Sequence, residues 1–159
     1  MVDLSLEPLA DELRSTRSVK PCALVIFGAT GDLTRRKLVP SLMGLSKDGL
    51  LPSAFAVVGF ARRPWTDESF REVLADGVET FGRPDTPAHF AEQREAFVYH
   101  QSDFGDADGY LQLKRRLKEI DRTHGTAGNR IFYLATPPSA YSLILKNLAA
   151  AGLSTEQDE

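Results

Sequence analysis

Cysteine is all but absent from this 159-residue chain: Cys22 stands alone, inside an apolar run. A disulfide framework is thereby excluded, packing is the natural role of that thiol, and a reducing, cytoplasmic setting is expected. Long apolar runs are lacking too. No stretch reaches the length of a membrane-spanning helix, and the start, Met1-Val2-Asp3-Leu4-Ser5-Leu6-Glu7, has neither the basic residues nor the apolar core of a signal peptide. An excess of positive charge is missing as well. The 19 Lys and Arg against 22 Asp and Glu leave −3, so no general basic surface invites nucleic acid. What remains is a globular composition, 42% apolar, of a length that suits one domain and is too short for two. An enzyme that needs a cofactor domain and a separate substrate domain does not fit within it.

Residues 1–20 mix apolar and charged positions, with Leu6, Leu9 and Leu13 near helical spacing, and read as an N-terminal arm, mobile or loosely docked. Residues 22–27 form a continuous apolar run of strand length that ends at Gly28, the mark of a buried parallel strand. Residues 33–47 carry leucines at helical spacing, with a bend expected at Pro40 and a stop at Asp48-Gly49. A second strand at 55–60 completes a right-handed βαβ unit. Helices at 66–80 and 86–96, with Thr66 and Thr86 as N-caps, lead to a short strand at 97–100. A helix at 107–120, a loop at 123–129 and a strand at 131–135 follow. Pro137-Pro138 ends that strand, and a last helix, 139–151, is closed by Gly152. The acidic tail, 154–159, is expected to be disordered. Alternating strands and helices, with near-continuous apolar strands, mean an α/β fold with a doubly wound parallel sheet, the Rossmann-like arrangement, over residues 21–153.

The strongest local signal is Gly28-Ala29-Thr30-Gly31-Asp32-Leu33, where the first strand hands over to the first helix. A glycine there allows a tight reversal and lets backbone N–H groups approach a phosphate at the positive end of a helix. By itself the pattern also suits a plain strand-ending turn, because the third glycine of G-x-G-x-x-G is missing. It is not a Walker A loop, since Leu33 stands where a second glycine would be needed. Asp32 reads as a helix N-cap, because its carboxylate would repel a pyrophosphate. The end of the second strand, which lies beside the adenosine ribose, chooses between dinucleotides. Here it runs into Gly59-Phe60-Ala61-Arg62-Arg63 with no carboxylate, and two guanidiniums suit a 2′-phosphate, so NADP is favoured over NAD. Thr30 could add a hydroxyl donor. Positive charge is concentrated here: Arg35, Arg36, Lys37, Lys47, Arg62 and Arg63 oppose only Asp32 and Asp48 within residues 21–63. Arg35, Arg36 and Lys37 taken singly also suit a solvated helix face.

The run Gly28-Ala29-Thr30-Gly31-Asp32-Leu33-Thr34-Arg35-Arg36-Lys37-Leu38-Val39-Pro40 resembles the glucose-6-phosphate dehydrogenases, in which a G-A-S/T-G-D-L turn leads into a basic R-K-L-x-P helix. Asp48-Gly49-Leu50-Leu51-Pro52, Val58-Gly59-Phe60-Ala61-Arg62, Asp106 with Tyr110, and Asn129-Arg130-Ile131-Phe132-Tyr133-Leu134-Ala135-Thr136-Pro137-Pro138 resemble further family segments, in order. The resemblance implies that Gly28, Ala29, Thr30, Gly31, Asp32 and Leu33 hold the NADP phosphates, and that Thr30, Arg62 and Arg63 hold the 2′-phosphate. It also places Tyr133 and Pro137 at the cofactor site and Lys37 near the phosphate of the sugar substrate. The activity it implies is hydride transfer from C1 of glucose 6-phosphate to NADP, giving the lactone, with a histidine as base. That base belongs to an R-I-D-H-Y-L-G-K segment and a substrate lysine to an E-K-P-F-G segment, and neither occurs here. No catalytic residue and no metal site is therefore assigned, and His89, His100 and His124 are not promoted.

The reading that results is the N-terminal coenzyme part of a larger, homo-oligomeric dehydrogenase, truncated or split. It is expected to bind NADP without catalysing, with an exposed edge on the strand at 131–135. Two alternatives stand beside it. One is a free-standing NADP sensor or partner-docking module. The other is a short-chain dehydrogenase using Tyr110 and Lys114 as its Y-x-x-x-K pair.

Overall fold

The computed structural model describes residues 19–155. The expected arm, except for its last two residues, and the tail beyond Thr155 lie outside the described residues. Four strands, β1 (Cys22–Phe27), β2 (Phe55–Ala61), β3 (Phe97–Gln101) and β4 (Arg130–Leu134), make one sheet in the order β3-β2-β1-β4. Every pair is parallel, with Cys22 opposite Phe55, Ala23 opposite Arg130 and Val57 opposite Phe97. Parallel neighbours require crossovers, which the helices α1 (Val39–Lys47), α2 (Asp67–Phe81), α3 (Thr86–Gln93) and α4 (Ala107–His124) supply, while α5 (Tyr141–Ala150) follows the last strand. No helix among the described residues is long and apolar enough to cross a membrane.

Both faces of the sheet are covered, which is why β1 is apolar at every position. On one face Val25, Phe27, Val58 and Phe60 pack against Tyr110, Leu113 and Leu117 of α4 and Ile144 and Leu148 of α5. On the other, Leu24, Ile26 and Val57 pack against Val39 and Met43 of α1, Phe70, Leu74 and Val78 of α2, and Phe90 of α3. The arrangement is the doubly wound α/β fold expected. β4 pairs only with β1, so its outer edge has no strand partner among the described residues.

Local chemistry altered several expectations. The first helix does not run evenly: a widened π-turn, Thr34–Leu38, precedes α1, and the N–H of Val39 reaches back to the Thr34 carbonyl. Pro40 has no N–H to return to residue 36, and its ring would strike that carbonyl in a regular helix. The wider turn relieves both problems one residue before the proline, so the irregularity precedes Pro40. Thr66 is an N-cap as expected, in a reciprocal box in which its hydroxyl accepts from the Ser69 N–H at 3.1 Å. Thr86 is not. Asp85 holds the cap position, and the Thr86 hydroxyl donates to the Arg83 carbonyl at 2.7 Å from the first helical residue. The helix begun there ends at Gln93 and tightens into a 3₁₀ turn, Arg94–Ala96.

Two contacts tune the sheet. A methyl group added at Gly59 would lie 2.5 Å from the Phe70 ring and 2.9 Å from the Ala29 Cβ, so α2 and the exit of β1 close over bare backbone. At the opposite end, Asp121 accepts from Thr126 and Gly128 and forms a two-pronged pair with Arg130, tying the end of α4 to the start of β4. Burial alone would raise the Asp121 carboxyl, but these donors outweigh it and hold it at about 2.

Two expected outcomes follow. Gly59→Ala should destabilise the chain by about 1–3 kcal/mol in urea unfolding, the usual cost of overpacking. Asp121 binds protons less readily folded than unfolded, so its stabilisation is full above the unfolded carboxylate range and fades as pH falls from about 4 towards 2. Asp121→Asn should therefore lower the thermal midpoint clearly at neutral pH, with the difference shrinking over that acid window.

Candidate functional site

The candidate site is the edge of the sheet where β1, β2 and β4 end. At the exit of β1, Gly28 has φ +79°. A Cβ there would sit 2.4 Å from the Ala135 carbonyl oxygen and 3.1 Å from the Thr136 methyl. Both the dihedral and the close approach require glycine. The N–H groups of Gly28 and Ala29 donate to the Phe60 carbonyl at 2.9 and 3.4 Å, and that of Gly31 donates to the Gly28 carbonyl at 3.0 Å. The N–H groups of Thr30, Asp32 and Leu33 have no acceptor among the described residues. They open the first helical turn, where unpaired N–H groups make a positive helix end.

Asp32 is not the expected N-cap. It lies inside the first turn, and its carboxylate accepts from Arg36 at 3.2 Å, an exposed (i, i+4) pair. Arg35 pairs with Asp76 of α2, and the Arg35 and Arg36 guanidiniums lie 5.3 and 5.0 Å over the Phe81 ring. The basic cluster thus divides. Two arginines brace the helix against α2, whereas Lys37 is exposed with no ion pair among the described residues.

At the end of β2 the backbone is held and the side chains are open. Gln101 donates to the Arg62 carbonyl at 3.3 Å, and the Tyr99 hydroxyl donates to the Arg63 carbonyl at 2.7 Å. Burial pushes Tyr99 up to about 12, against the weaker opposing influence of Arg63, so that hydroxyl remains a donor. The Arg63 guanidinium lies 5.6 Å over the Trp65 ring, and both arginines are exposed. Beyond β4, Pro137 is exposed, and the buried hydroxyl of Thr136 has no partner among the described residues. Tyr133 is the penultimate residue of β4, one position short of this edge. It lies within β4 opposite Ile26, 40% exposed, on the face that α1 to α3 cover further along the sheet.

Elsewhere the side chains are taken up by packing. Tyr110 is fully buried with its hydroxyl donating to the Phe104 carbonyl at 2.8 Å, and Lys114 donates to the Ala151 carbonyl at 3.0 Å. They do not form a catalytic pair. His100 is buried with its Nε2 2.8 Å from the Gly109 carbonyl, and burial lowers its pKa. His89 bonds Ser46, and His124 borders a cavity of about 380 Å³ between Ser46, Phe55, Gln93 and Phe97. That cavity opens at the start of β2 and β3, the end of the sheet opposite the glycine turn, and its carboxylates Glu92 and Glu95 disfavour phosphate. Unpaired N–H groups and open arginines, rather than cavity size, define the candidate site. Tyr99 and Trp65 belong to no motif, and Thr136 lies in a family-like segment that gave it no role. Their parts depend on which strand end each approaches, and no spacing in the sequence reports that.

A dinucleotide fits this edge: it offers three unpaired backbone donors at a helix start, two open guanidiniums one strand away and an orphaned hydroxyl across the turn. A family model described as glucose-6-phosphate dehydrogenase, NAD binding domain, matches residues 25–159. The chain belongs to the glucose-6-phosphate dehydrogenase family. What it carries is that family's nicotinamide-dinucleotide-binding domain. It is 47% identical over 137 residues to the glucose-6-phosphate 1-dehydrogenase of Chlamydia pneumoniae, covering 86% of this chain and 27% of that protein. To glucose-6-phosphate 1-dehydrogenase 2 of Mycobacterium bovis it is 38% identical over 155 residues, 96% of this chain and 30% of the relative. A solved glucose-6-phosphate dehydrogenase in complex with its substrate glucose 6-phosphate superposes with a TM-score of 0.76 at 30% identity, over 86% of this chain and 28% of the other. The chain therefore spans under a third of the length of these dehydrogenases.

The close approach at Gly28 can be separated from its dihedral. Gly49 also has positive φ, +70°, but nothing lies within 4 Å of its missing Cβ. Gly49→Ala should cost about 1 kcal/mol from backbone strain alone, and Gly28→Ala clearly more, because Ala135 must also move. Chemical denaturation of the two variants measures the difference.

Proposed function

We propose that this chain binds NADP across the C-terminal edge of its sheet and serves as the coenzyme-binding part of a glucose-6-phosphate dehydrogenase. One observation carries the reading: the unpaired N–H groups of Thr30, Asp32 and Leu33 share an edge with the open guanidiniums of Arg62 and Arg63, and no carboxylate stands at the end of β2. A carboxylate there would accept from a free ribose hydroxyl, whereas guanidiniums grip a phosphate dianion.

In this reading the turn from Gly28 to Leu33 holds the pyrophosphate, with Gly28, Ala29 and Gly31 shaping it and Thr30, Asp32 and Leu33 donating their N–H groups. Arg62 and Arg63, with the Thr30 hydroxyl, hold the 2′-phosphate. Trp65 and Tyr99 keep the backbone and guanidinium of Arg63 in place. Tyr133 and Pro137 border the nicotinamide half, and Lys37, exposed and without an ion pair among the described residues, is the cation available to a sugar phosphate. The bound dinucleotide supplies the hydride acceptor for oxidation at C1 of glucose 6-phosphate. The base that takes the hydroxyl proton is not assigned to these histidines, because His89 and His124 lie at the far end of the sheet and His100 is tied to Gly109.

Titration of the chain with NADP and NAD tests the proposal, with binding of neither as the result that sinks it. Replacing Arg62 and Arg63 together by Ala should weaken NADP by about 1.5–3 kcal/mol per lost charge-assisted bond while sparing NAD. Equal losses for the two cofactors would refute the assignment of these arginines.

A further inference from the structure

Two buried side-chain oxygens lack a hydrogen-bond partner among the described residues: those of Thr34 and Thr136. Thr34 is sealed within the first helical turn, fully buried. Thr136 is placed differently. It follows β4 directly, on the rim of the glycine turn, and its methyl stands 3.1 Å from where a Cβ of Gly28 would be. A buried hydroxyl without a partner weakens the fold that holds it, and valine would fill the same volume without that cost. An orphaned donor beside a ligand-binding edge calls for an explanation, and a ligand acceptor reached by a change of rotamer is one.

The strand order names the half of the ligand concerned. The order β3-β2-β1-β4 reverses between β1 and β4, and a dinucleotide lies across such a switch point. Its adenosine half then lies towards β2 and Arg62, and its second nucleoside towards β4 and Thr136. Rotation about the Thr136 Cα–Cβ bond exchanges methyl and hydroxyl between staggered positions, bringing the hydroxyl to the side of the turn the methyl now occupies.

We propose that Thr136 is a cofactor-binding residue that donates its hydroxyl to an oxygen on the nicotinamide side of the bound dinucleotide. The inference rests on the NADP reading given above, and the experiment separates the two. Binding of NADP and of 2′,5′-ADP, which lacks the nicotinamide half, is measured by calorimetry for the unchanged chain, Thr136→Val and Thr136→Ser, together with each thermal midpoint without ligand. Thr136→Val should weaken NADP about three- to tenfold, the scale of one neutral hydrogen bond. It should leave 2′,5′-ADP unchanged and hold or raise the thermal midpoint, while Thr136→Ser retains NADP binding. Undiminished NADP binding by Thr136→Val overturns the role of Thr136 and leaves the NADP reading standing. Equal weakening of both ligands assigns the effect to the turn as a whole and also overturns it. If the unchanged chain binds neither ligand, the NADP reading fails and this inference fails with it.

Discussion

The Phe60 carbonyl accepts from both Gly28 and Ala29, and this shared acceptor turns the exit of β1 over the end of β2. With those two N–H groups engaged inside the protein, the next donors along the chain face outward at the start of a helix. Gly28 also lets Ala135 and Thr136 approach from the other side, so the ends of three strands meet at one backbone position. Any side chain there would push β4 outward. The donors, the arginines and the orphaned hydroxyl share an edge because of that junction.

Charge is sorted around it. Of the basic residues near the turn, Arg35 and Arg36 are engaged by Asp76, Asp32 and the Phe81 ring, so the helix keeps its place against α2. Exposed ion pairs of this kind contribute little stability, and their main effect is to hold orientation. Arg62, Arg63 and Lys37 remain open to an anion. At the other end of the sheet, Glu92 and Glu95 border the cavity of about 380 Å³, so the two ends differ in the sign of their charge.

Much of the fold was legible because its signals are local. Buried parallel strands need unbroken apolar runs, and residues 22–27 and 55–60 show them plainly. The capping box at Thr66 and Ser69 is a four-residue pattern that needs no tertiary contact. Thr86 misled because Asp85 precedes it and the Arg83 carbonyl offers its hydroxyl an acceptor within the turn. Asp32 misled because it is itself the first helical residue, so its carboxylate lies inside the first turn and pairs with Arg36 one turn ahead. The π-turn before Pro40 was half legible, since the proline foretold an irregularity but not the residue that would absorb it.

The sequence by itself determined the strand and helix order, the glycine turn, the arginines without a carboxylate at the end of β2, and the family. Each of these is carried by residues within a few positions of one another. Only the tertiary structure decided which groups remain available to a ligand. It engaged Arg35 and Arg36, buried Tyr110, tied His100 to Gly109 and left the Thr136 hydroxyl beside Gly28 without a partner among the described residues. Those outcomes depend on contacts between residues some 40 to 110 positions apart, such as Arg35 with Asp76 and Gly28 with Thr136, or on which face of the sheet a helix covers. Pairing and burial of that kind arise only when the chain closes on itself.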